Sequence, residues 1–300
     1  MLILAGTIPV KNMPLITGYA KLTLKGLTID GHLIDLNRGT AAMITTVATV
    51  CDALGSKMPF CVVAGDIGKR DGSTKIYRYL EENIPEMNIK ILTFHYIMPD
   101  ILKHNRVIDA VKKKEKKPFL IADAGSMYVA KAAGFAHYYD IFTPDVGEVA
   151  FLADEKADHP AYTRGFIWHM DDQVEELAIR AYDWNNAAKI LFVKGKTDYI
   201  FHDAKLIDQI DEPVVKELEP IGGTGDTITG TISALLYANG MKPIDACSIA
   251  ARVNRIAGKR ARPNPATQVG AIIRELPHAF QEISRSRGEE HMGSIFSLAA

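Results

Sequence analysis

The residue types that could do chemistry are concentrated in residues 220–230, which read Pro-Ile-Gly-Gly-Thr-Gly-Asp-Thr-Ile-Thr-Gly. Glycines let a backbone approach a ligand closely, and a helix start directly after them adds the positive end of a dipole. Residues 222–225 therefore predict a loop that binds an anion, most often a phosphate. A bound anion would repel a carboxylate, so Asp226 is not expected to help bind the phosphate. Acid/base chemistry explains a carboxylate at this position better. The alternative is that Asp226 caps the helix and the glycines form an ordinary turn.

A helix is expected directly after this loop. Apolar residues recur at positions 228, 232, 235 and 236, which places them on one helical face. Gly240 is a stop signal, and Pro243 is suited to open the next helix. These signals favour a functional phosphate loop over a simple turn.

Most of the chain alternates short apolar strands with helical patterns. Strands are predicted at 59–64, 89–94, 118–122, 141–143 and 189–193, and helices at 73–83, 100–114, 127–133 and 171–186. This alternation is typical of a parallel sheet covered by helices on both faces. Polar residues and glycines follow the predicted strand ends, where ligands bind in open α/β sheets. They are Gly65, Asp66, His95, Asp123, Thr143, Gly147, Glu148, Lys194 and Gly195.

Individual residues of this group have alternative interpretations. Lys194 ends a buried strand, which is costly without an anionic partner, so a functional role is expected. Asp123 and His95 are candidate substrate contacts, although a structural histidine is the more common case for a residue such as His95. Glu148 could cap a helix over 149–154 instead of serving a site. Residues 65–73 could form a second anion-facing loop or a plain turn.

Two segments depart from the alternation. Residues 19–36 alternate polar and apolar side chains around Gly26 and an Asp30-Gly31 turn, which predicts a β-hairpin or small meander that could act as a lid or oligomer contact. Residues 154–172 have no strong period and are interpreted as an insertion. We expect a single domain over 1–285, followed by a tail over 286–300.

Composition limits the classes of partner. The chain has 300 residues, 47% of them hydrophobic, and a formal net charge of -1, which argues against nucleic acid or a membrane surface as a partner. Its three cysteines have no metal-like spacing and are expected to be core residues in a reducing compartment. No apolar run is long enough to span a bilayer, and the apolar start lacks a basic leader. A cytoplasmic enzyme acting on a small molecule fits these limits.

Three short motifs, and the order in which they follow one another along the chain, resemble those of a known family. Gly-Gly-Thr-Gly-Asp at 222–226, Thr-Pro-Asp-Val-Gly-Glu at 143–148 and Val-Lys-Gly at 193–195 are similar to motifs of the ribokinase-like superfamily. They look most like its ADP- or ATP-dependent NAD(P)H-hydrate dehydratase branch, over roughly residues 39–280. Residues 38–42, Arg-Gly-Thr-Ala-Ala, resemble the small-residue segment at which a helix starts in that branch. The Gly-Pro-Gly-Leu-Gly-like turn of the branch is replaced here by residues 64–73.

The resemblance implies a fold and a set of site residues. The fold would be α/β, a ribokinase-like three-layer α/β/α sandwich with a mostly parallel central sheet and a small N-terminal β-hairpin extension. Asp226 would be the catalytic acid/base, and Glu148 would act on Mg²⁺ through water. ADP or ATP would contact Gly222, Gly223, Thr224, Gly225, Lys194, Gly195 and Asn254, and the substrate would contact Asp123, His95, Thr143 and Gly147. Because members of the family usually form oligomers, the resemblance also implies that this protein is a homo-oligomer.

Two chemistries remain open at this stage. In a hydro-lyase, phosphorylation of a hydroxyl lets it leave as phosphate and restores a nicotinamide ring of hydrated NAD(P)H. In a small-molecule kinase, Asp226 takes a proton from the hydroxyl of a metabolite as that hydroxyl attacks the γ-phosphoryl group. Both need backbone N–H donors, magnesium and a base in line. The absence of the amino-terminal sugar-binding set of the kinases favours the lyase, and Asp226 disfavours a nucleotide-binding protein without catalysis.

Overall fold

The computed structural model describes residues 1–157 and 173–286. The segment 158–172 of the predicted insertion, with His159, Tyr162 and His169, lies outside the described residues, as does 287–300 of the predicted tail. The chain divides into two compact units. The first contains Met1, Ile3–Leu15 and Val62–Gln209, and the second contains Leu2, Ile16–Cys61 and the chain from Ile210 onward. The predicted single domain over 1–285 stays a prediction.

The first unit is built around a sheet with helices between its strands. Its strands are β1 (Leu2–Ile8), β5 (Phe60–Gly65), β6 (Ile91–His95), β7 (Phe119–Asp123), β8 (Ile141–Phe142), β9 (Ile190–Val193), β10 (Asp198–His202) and β11 (Lys205–Ile210). They lie in the order β11-β10-β9-β8-β7-β6-β1-β5. Its helices are α2 (Asp71–Asn83), α3 (Ile101–Lys112), α4 (Gly125–Ala132), α5 (Val146–Ala153) and α6 (Val174–Asp183).

The register of this sheet explains why polar residues at strand ends come together. Strands β6 to β9 pair in parallel, with His95 beside Asp123 and Phe142 beside Leu191. Strand β10 returns antiparallel to β9. All five strands predicted from the sequence are present within two residues of their expected bounds. The predicted α/β alternation is therefore confirmed in the first unit.

The second unit contains a small meander and the longest helices. Strands β2 (Ile16–Thr23), β3 (Gly26–Ile29) and β4 (His32–Ile34) pair antiparallel, which confirms the predicted meander. Its helices are α1 (Thr40–Ala53), α7 (Thr224–Ala238), α8 (Pro243–Arg260) and α9 (Val269–Ser286). Helix α7 ends just before Gly240, and Pro243 opens α8, as the sequence signals indicated.

Side-chain burial follows the predicted core. All seven residues of β1 are buried, so the apolar start of the chain forms a core strand. The cysteines Cys51, Cys61 and Cys247 are buried and unbridged, and burial raises the pKa of the Cys51 thiol to about 12. Within the described ranges, no helix has both the length and the apolar content that a membrane crossing requires.

Candidate functional site

The glycine-rich loop leads directly into α7. Gly223 has φ 105° and precedes the first helical residue, Thr224. A side chain at Gly223 would be strained in this conformation and would also meet Val269 at 3.1 Å, so only glycine fits. The first intrahelical bond runs from the Thr227 N–H to the Gly223 carbonyl, 3.1 Å. The N–H groups of the three preceding residues therefore have no acceptor within the helix, which is the arrangement that binds anions at helix starts.

This loop lies at the surface of its unit. Gly222 is exposed, residues 223–225 are partly buried, and Asp226 is buried with 7% of its surface exposed. The exposed Arg38 packs its aliphatic stem over Gly222, where an added Cβ would lie 3.1 Å from Arg38 Cδ. In the sequence, Arg38 is marked only by its position at the start of a helix of small residues. A cation beside this loop was therefore missed.

Asp226 is not a helix cap. It is the third residue of α7, and the N-cap position belongs to Gly223, so the alternative interpretation of Asp226 as a cap is wrong. Its Oδ2 accepts the backbone N–H of Gly39 at 2.6 Å. The carboxylate is thus held by a residue 187 positions away in sequence, at the start of α1.

Asn254 of α8 is bound to the same helix start. Its Nδ2 donates to the Thr224 carbonyl at 3.3 Å, and its Oδ1 lies 2.5 Å from the Thr227 hydroxyl. The Thr227 hydroxyl is also 2.7 Å from the Thr224 carbonyl. These contacts fix the first turn of α7. The predicted contact of Asn254 with a nucleotide stays a prediction.

In the first unit, the structure brings three predicted residues together at the ends of β6, β7 and β9. Lys194 Nζ donates to both carboxylate oxygens of the buried Asp123, each at 2.9 Å. The Ala124 N–H donates to Asp123 Oδ1 at 2.8 Å, and His95 Nε2 lies 3.6 Å from Asp123 Oδ2. The anionic partner that the sequence required for Lys194 is therefore Asp123.

The turn over 143–148 lies beside this cluster. The Lys194 N–H donates to the Pro144 carbonyl at 2.8 Å, and Asp145 forms a parallel bridge with Lys194. Thr143 is fully buried, and Gly147 lies in the first turn of α5. The Gly195 N–H donates to Asp198 Oδ1 at 3.2 Å. The 143–148 and 193–195 motifs thus contact each other, as their positions after parallel strands predicted.

Glu148 forms a capping box with Asp145. The Glu148 N–H donates to Asp145 Oδ1 and the Asp145 N–H donates to Glu148 Oε2, both at 2.8 Å. Helix α5 therefore begins at Val146, three residues before the expected helix over 149–154. The Tyr128 hydroxyl donates to Glu148 Oε1 at 2.6 Å. Burial, with the carboxylates of Asp123 and Asp145 nearby, raises the pKa of Glu148 to about 7 against the opposing effect of Lys194.

The possible second anion loop is occupied by a carboxylate of the protein itself. Asp66 Oδ1 accepts the N–H groups of Gly68, Lys69 and Arg70, each at 3.0 Å. Its Oδ2 accepts the N–H and the hydroxyl of Ser73. Burial acts to raise the pKa of Asp66, but these hydrogen bonds outweigh it and hold the pKa below its usual value. Residues 65–73 are thus a turn organised by Asp66.

Comparisons with known proteins agree with the motifs. The family model Carb_kinase, described as NAD(P)H-hydrate dehydratase, matches residues 100–278. The chain is 42% identical over 240 residues to the uncharacterized protein MJ1337 of Methanocaldococcus jannaschii, covering 80% of this chain and 98% of that protein. It is 29% identical over 176 residues to the bifunctional NAD(P)H-hydrate repair enzyme Nnr of Hyperthermus butylicus, covering 57% of this chain and 30% of that enzyme.

Solved structures show the same fold. A ribokinase-like superfamily protein (EF1790) from Enterococcus faecalis has a TM-score of 0.58 at 16% identity, covering 94% of this chain and 86% of that one. The ribokinase of Cryptococcus neoformans in complex with ADP has a TM-score of 0.53 at 12% identity, covering 92% and 98%. These likenesses confirm the predicted ribokinase-like α/β fold. The chain belongs to the Carb_kinase family, described as NAD(P)H-hydrate dehydratase, and has a ribokinase-like fold.

Proposed function

We propose that this protein is an ADP- or ATP-dependent NAD(P)H-hydrate dehydratase, a hydro-lyase. The family match supports an enzyme of the dehydratase or carbohydrate kinase type with a small-molecule substrate. The observation that carries the proposal within the chain is the position of Asp226. Its carboxylate lies in the first turn of a helix, directly after a glycine loop at the surface of the unit, and the first N–H groups of that helix lack helical acceptors.

In this proposal, residues 222–225 hold the phosphates of the nucleotide. Their backbone N–H groups donate to phosphate oxygens, where negative charge develops as the terminal phosphoryl group is transferred. Gly222 and Gly223 allow the close approach, and Arg38 adds positive charge beside Gly222. Asn254 and Thr227 hold the first turn of α7 in place. The ADP bound to the fungal ribokinase of the same fold supports a nucleotide ligand.

Asp226 then serves as the base. It accepts the proton of the hydroxyl on the hydrated nicotinamide ring as the oxygen of that hydroxyl attacks the terminal phosphoryl group of ADP or ATP. The bond from that phosphoryl group to the nucleotide breaks, and AMP or ADP leaves. The carbon–oxygen bond of the phosphorylated substrate then breaks, phosphate leaves, the ring nitrogen supplies the electron pair, and loss of a ring proton restores the double bond.

Glu148 fits the predicted role of a carboxylate acting on Mg²⁺ through water. Each of its oxygens already accepts one hydrogen bond, from Tyr128 and from the backbone of Asp145, and a carboxylate oxygen has a second lone pair that can accept a water proton. Magnesium prefers oxygen ligands and keeps several of its waters. When bound, it would neutralise charge on the transferring phosphoryl group.

The remaining predicted residues keep their proposed contacts. We assign Lys194 and Gly195 to the nucleotide, and Asp123, His95, Thr143 and Gly147 to the substrate. Lys194 donates to both carboxylate oxygens of Asp123, so the charges of the two side chains neutralise each other. A ligand that contacts either side chain therefore contacts a pair without net charge. We propose that this pair orients a polar ligand group by hydrogen bonding rather than by net charge.

A small-molecule kinase is the second candidate. The favouring observation is the turn over residues 65–73, which takes the place of the glycine-rich turn of the dehydratases. The backbone N–H groups of this turn donate to Asp66, so they are committed to the protein's own carboxylate. A pocket for hydrated nicotinamide that needs this turn would have to be built differently here.

Incubation with hydrated NADH distinguishes the two candidates. The protein is mixed with hydrated NADH and either ADP or ATP, and the absorbance of NADH is followed. We expect the absorbance to return with at least one nucleotide and not without nucleotide. Consumption of ATP only in the presence of a hydroxyl-bearing metabolite, without any return of NADH, would replace the lyase by the kinase.

A further inference from the structure

We infer that Gly39 is a positioning residue for catalysis, acting through the carboxylate of Asp226. This inference rests on the proposed function, because it assigns Gly39 a role in the step for which Asp226 is the base. Gly39 lies at the N-cap position of α1, far from the 222–226 loop in sequence. Neither the family match over residues 100–278 nor the glycine loop motif includes it.

The contact itself is short and partly buried. The Gly39 N–H donates to Asp226 Oδ2 at 2.6 Å, whereas the Gly39 carbonyl accepts the N–H of Met43 at 3.0 Å and begins α1. One peptide unit thus faces the Asp226 carboxylate while the next starts the helix. A hydrogen bond to one oxygen restricts rotation of the carboxylate, and this restriction fixes the direction of both oxygens.

The backbone of Gly39 can make this contact only as glycine. Its φ of 69° and ψ of -142° lie in a region that L side chains avoid because the Cβ atom collides with the neighbouring peptide units. Any other residue would relax toward negative φ. That rotation would turn the N–H away from Asp226 while leaving the rest of α1 able to form.

Close packing of α1 against α7 beyond their first turns fixes the relative position of the two helix starts. Gly230 of α7 lies against α1, where an added Cβ would meet the Met43 carbonyl oxygen at 2.8 Å and Thr46 Cβ at 3.0 Å. Because the backbones of α1 and α7 touch here, the distance from Gly39 to Asp226 has little freedom. The hydrogen bond is therefore a fixed feature of the paired helices.

The test replaces Gly39 by alanine and measures turnover and nucleotide affinity separately. Gly39→Ala is expected to lower kcat by on the order of 10²-fold, the scale of a misplaced catalytic group, with the Kd for ADP almost unchanged. Gly55→Ala is the matched control, because Gly55 follows the other end of α1, has φ 60° and has no atom within 4 Å of an added Cβ. This control should keep the wild-type kcat.

A double-mutant cycle separates positioning from general structural damage. If Gly39 acts through Asp226, Gly39→Ala should cost almost nothing further in the Asp226→Asn background. Wild-type kcat in Gly39→Ala, a parallel loss of ADP affinity, or an additive loss in the double variant would overturn the inference. If Gly39→Ala does not fold, the amide resonance of Gly39 in the wild-type protein and in Asp226→Asn tests the inference instead.

A spectroscopic measurement needs no activity. The amide proton of Gly39 should resonate far downfield in the wild-type protein because of its short bond to a carboxylate, and Asp226→Asn should move it upfield. Normal turnover in Asp226→Asn would refute the proposed function, whereas an unmoved Gly39 amide together with an impaired Asp226→Asn would refute only the role of Gly39.

Discussion

Asp123 and Asp226 are buried carboxylates among the predicted site residues, and they have partners of different kinds. Asp123 meets the ammonium group of Lys194 through both oxygens, whereas Asp226 is held by a backbone N–H of Gly39. A bidentate ion pair suits orientation and stability, and a hydrogen-bonded carboxylate in a glycine loop suits proton transfer. Lys194 is paired with an anion, as its position at the end of a buried strand predicts, and the protein itself supplies that anion.

Removal of Lys194 should destabilise the fold. Lys194→Met leaves the buried Asp123 without its cation, and breaking one side of a buried pair costs about 3–5 kcal/mol. The free energy of unfolding from urea titration measures the loss. The double variant Asp123→Asn with Lys194→Met should recover much of it, because no charge is then left unpaired. A loss below about 1 kcal/mol in the single variant would show that the pair is not a structural element.

Glu148 should make stability fall as the pH rises. Its pKa is about 7 in the folded protein against 4.5 ordinarily, so between these values the folded state keeps a proton that the unfolded state has released. The free energy of unfolding therefore decreases from pH 4.5 to 7 and is unaffected by this group above or below. Glu148→Gln keeps the capping box and removes the titration. Urea titrations at pH 5 and pH 8 should show a smaller decrease in the variant, and equal decreases would contradict the assignment.

At the scale of elements, buried parallel strands and their flanking helices were readable from the sequence because their apolar runs end at glycines and charged residues. Strand β1 was not predicted as a strand, because its continuous apolar run does not distinguish a core strand from a leader segment. Strands β10 and β11 were missed as well; in β11 the apolar Ile207 is exposed and the polar Asp208 is half-buried, so residue polarity does not follow burial. The turn around Asp66 was left open because sequence cannot tell which anion a loop's N–H groups will face.

A bulky side chain over the backbone at the start of α7 should prevent nucleotide binding. Gly225→Val places a branched side chain within the first turn, where the proposed phosphate contacts lie, and is expected to abolish ADP binding. Isothermal titration calorimetry with ADP measures this directly. Ala238→Val adds the same residue at the last position of α7 and should retain the wild-type affinity. Unchanged ADP affinity in Gly225→Val would place the phosphates elsewhere.

At the scale of the whole molecule, the motifs identified the family and the fold, and the comparisons confirm both. The contact between Gly39 and Asp226 could not be predicted, because it joins residues 187 positions apart and depends on a positive φ that no local pattern specifies. The hydrogen bonds of Asn254 could not be predicted from the sequence either. Its bonds to Thr224 and Thr227 require the packing of α8 on α7, which only the folded chain supplies.

The most direct measurement is the turnover and ADP affinity of Asp226→Asn beside those of the wild-type protein, with hydrated NADH as substrate. Loss of the acid/base group should lower kcat by about 10²–10⁴-fold. The Kd for ADP should stay within a few-fold of wild type, because the N–H groups of the loop are unchanged. Near-normal turnover in Asp226→Asn would contradict the central claim that this carboxylate performs the proton transfer.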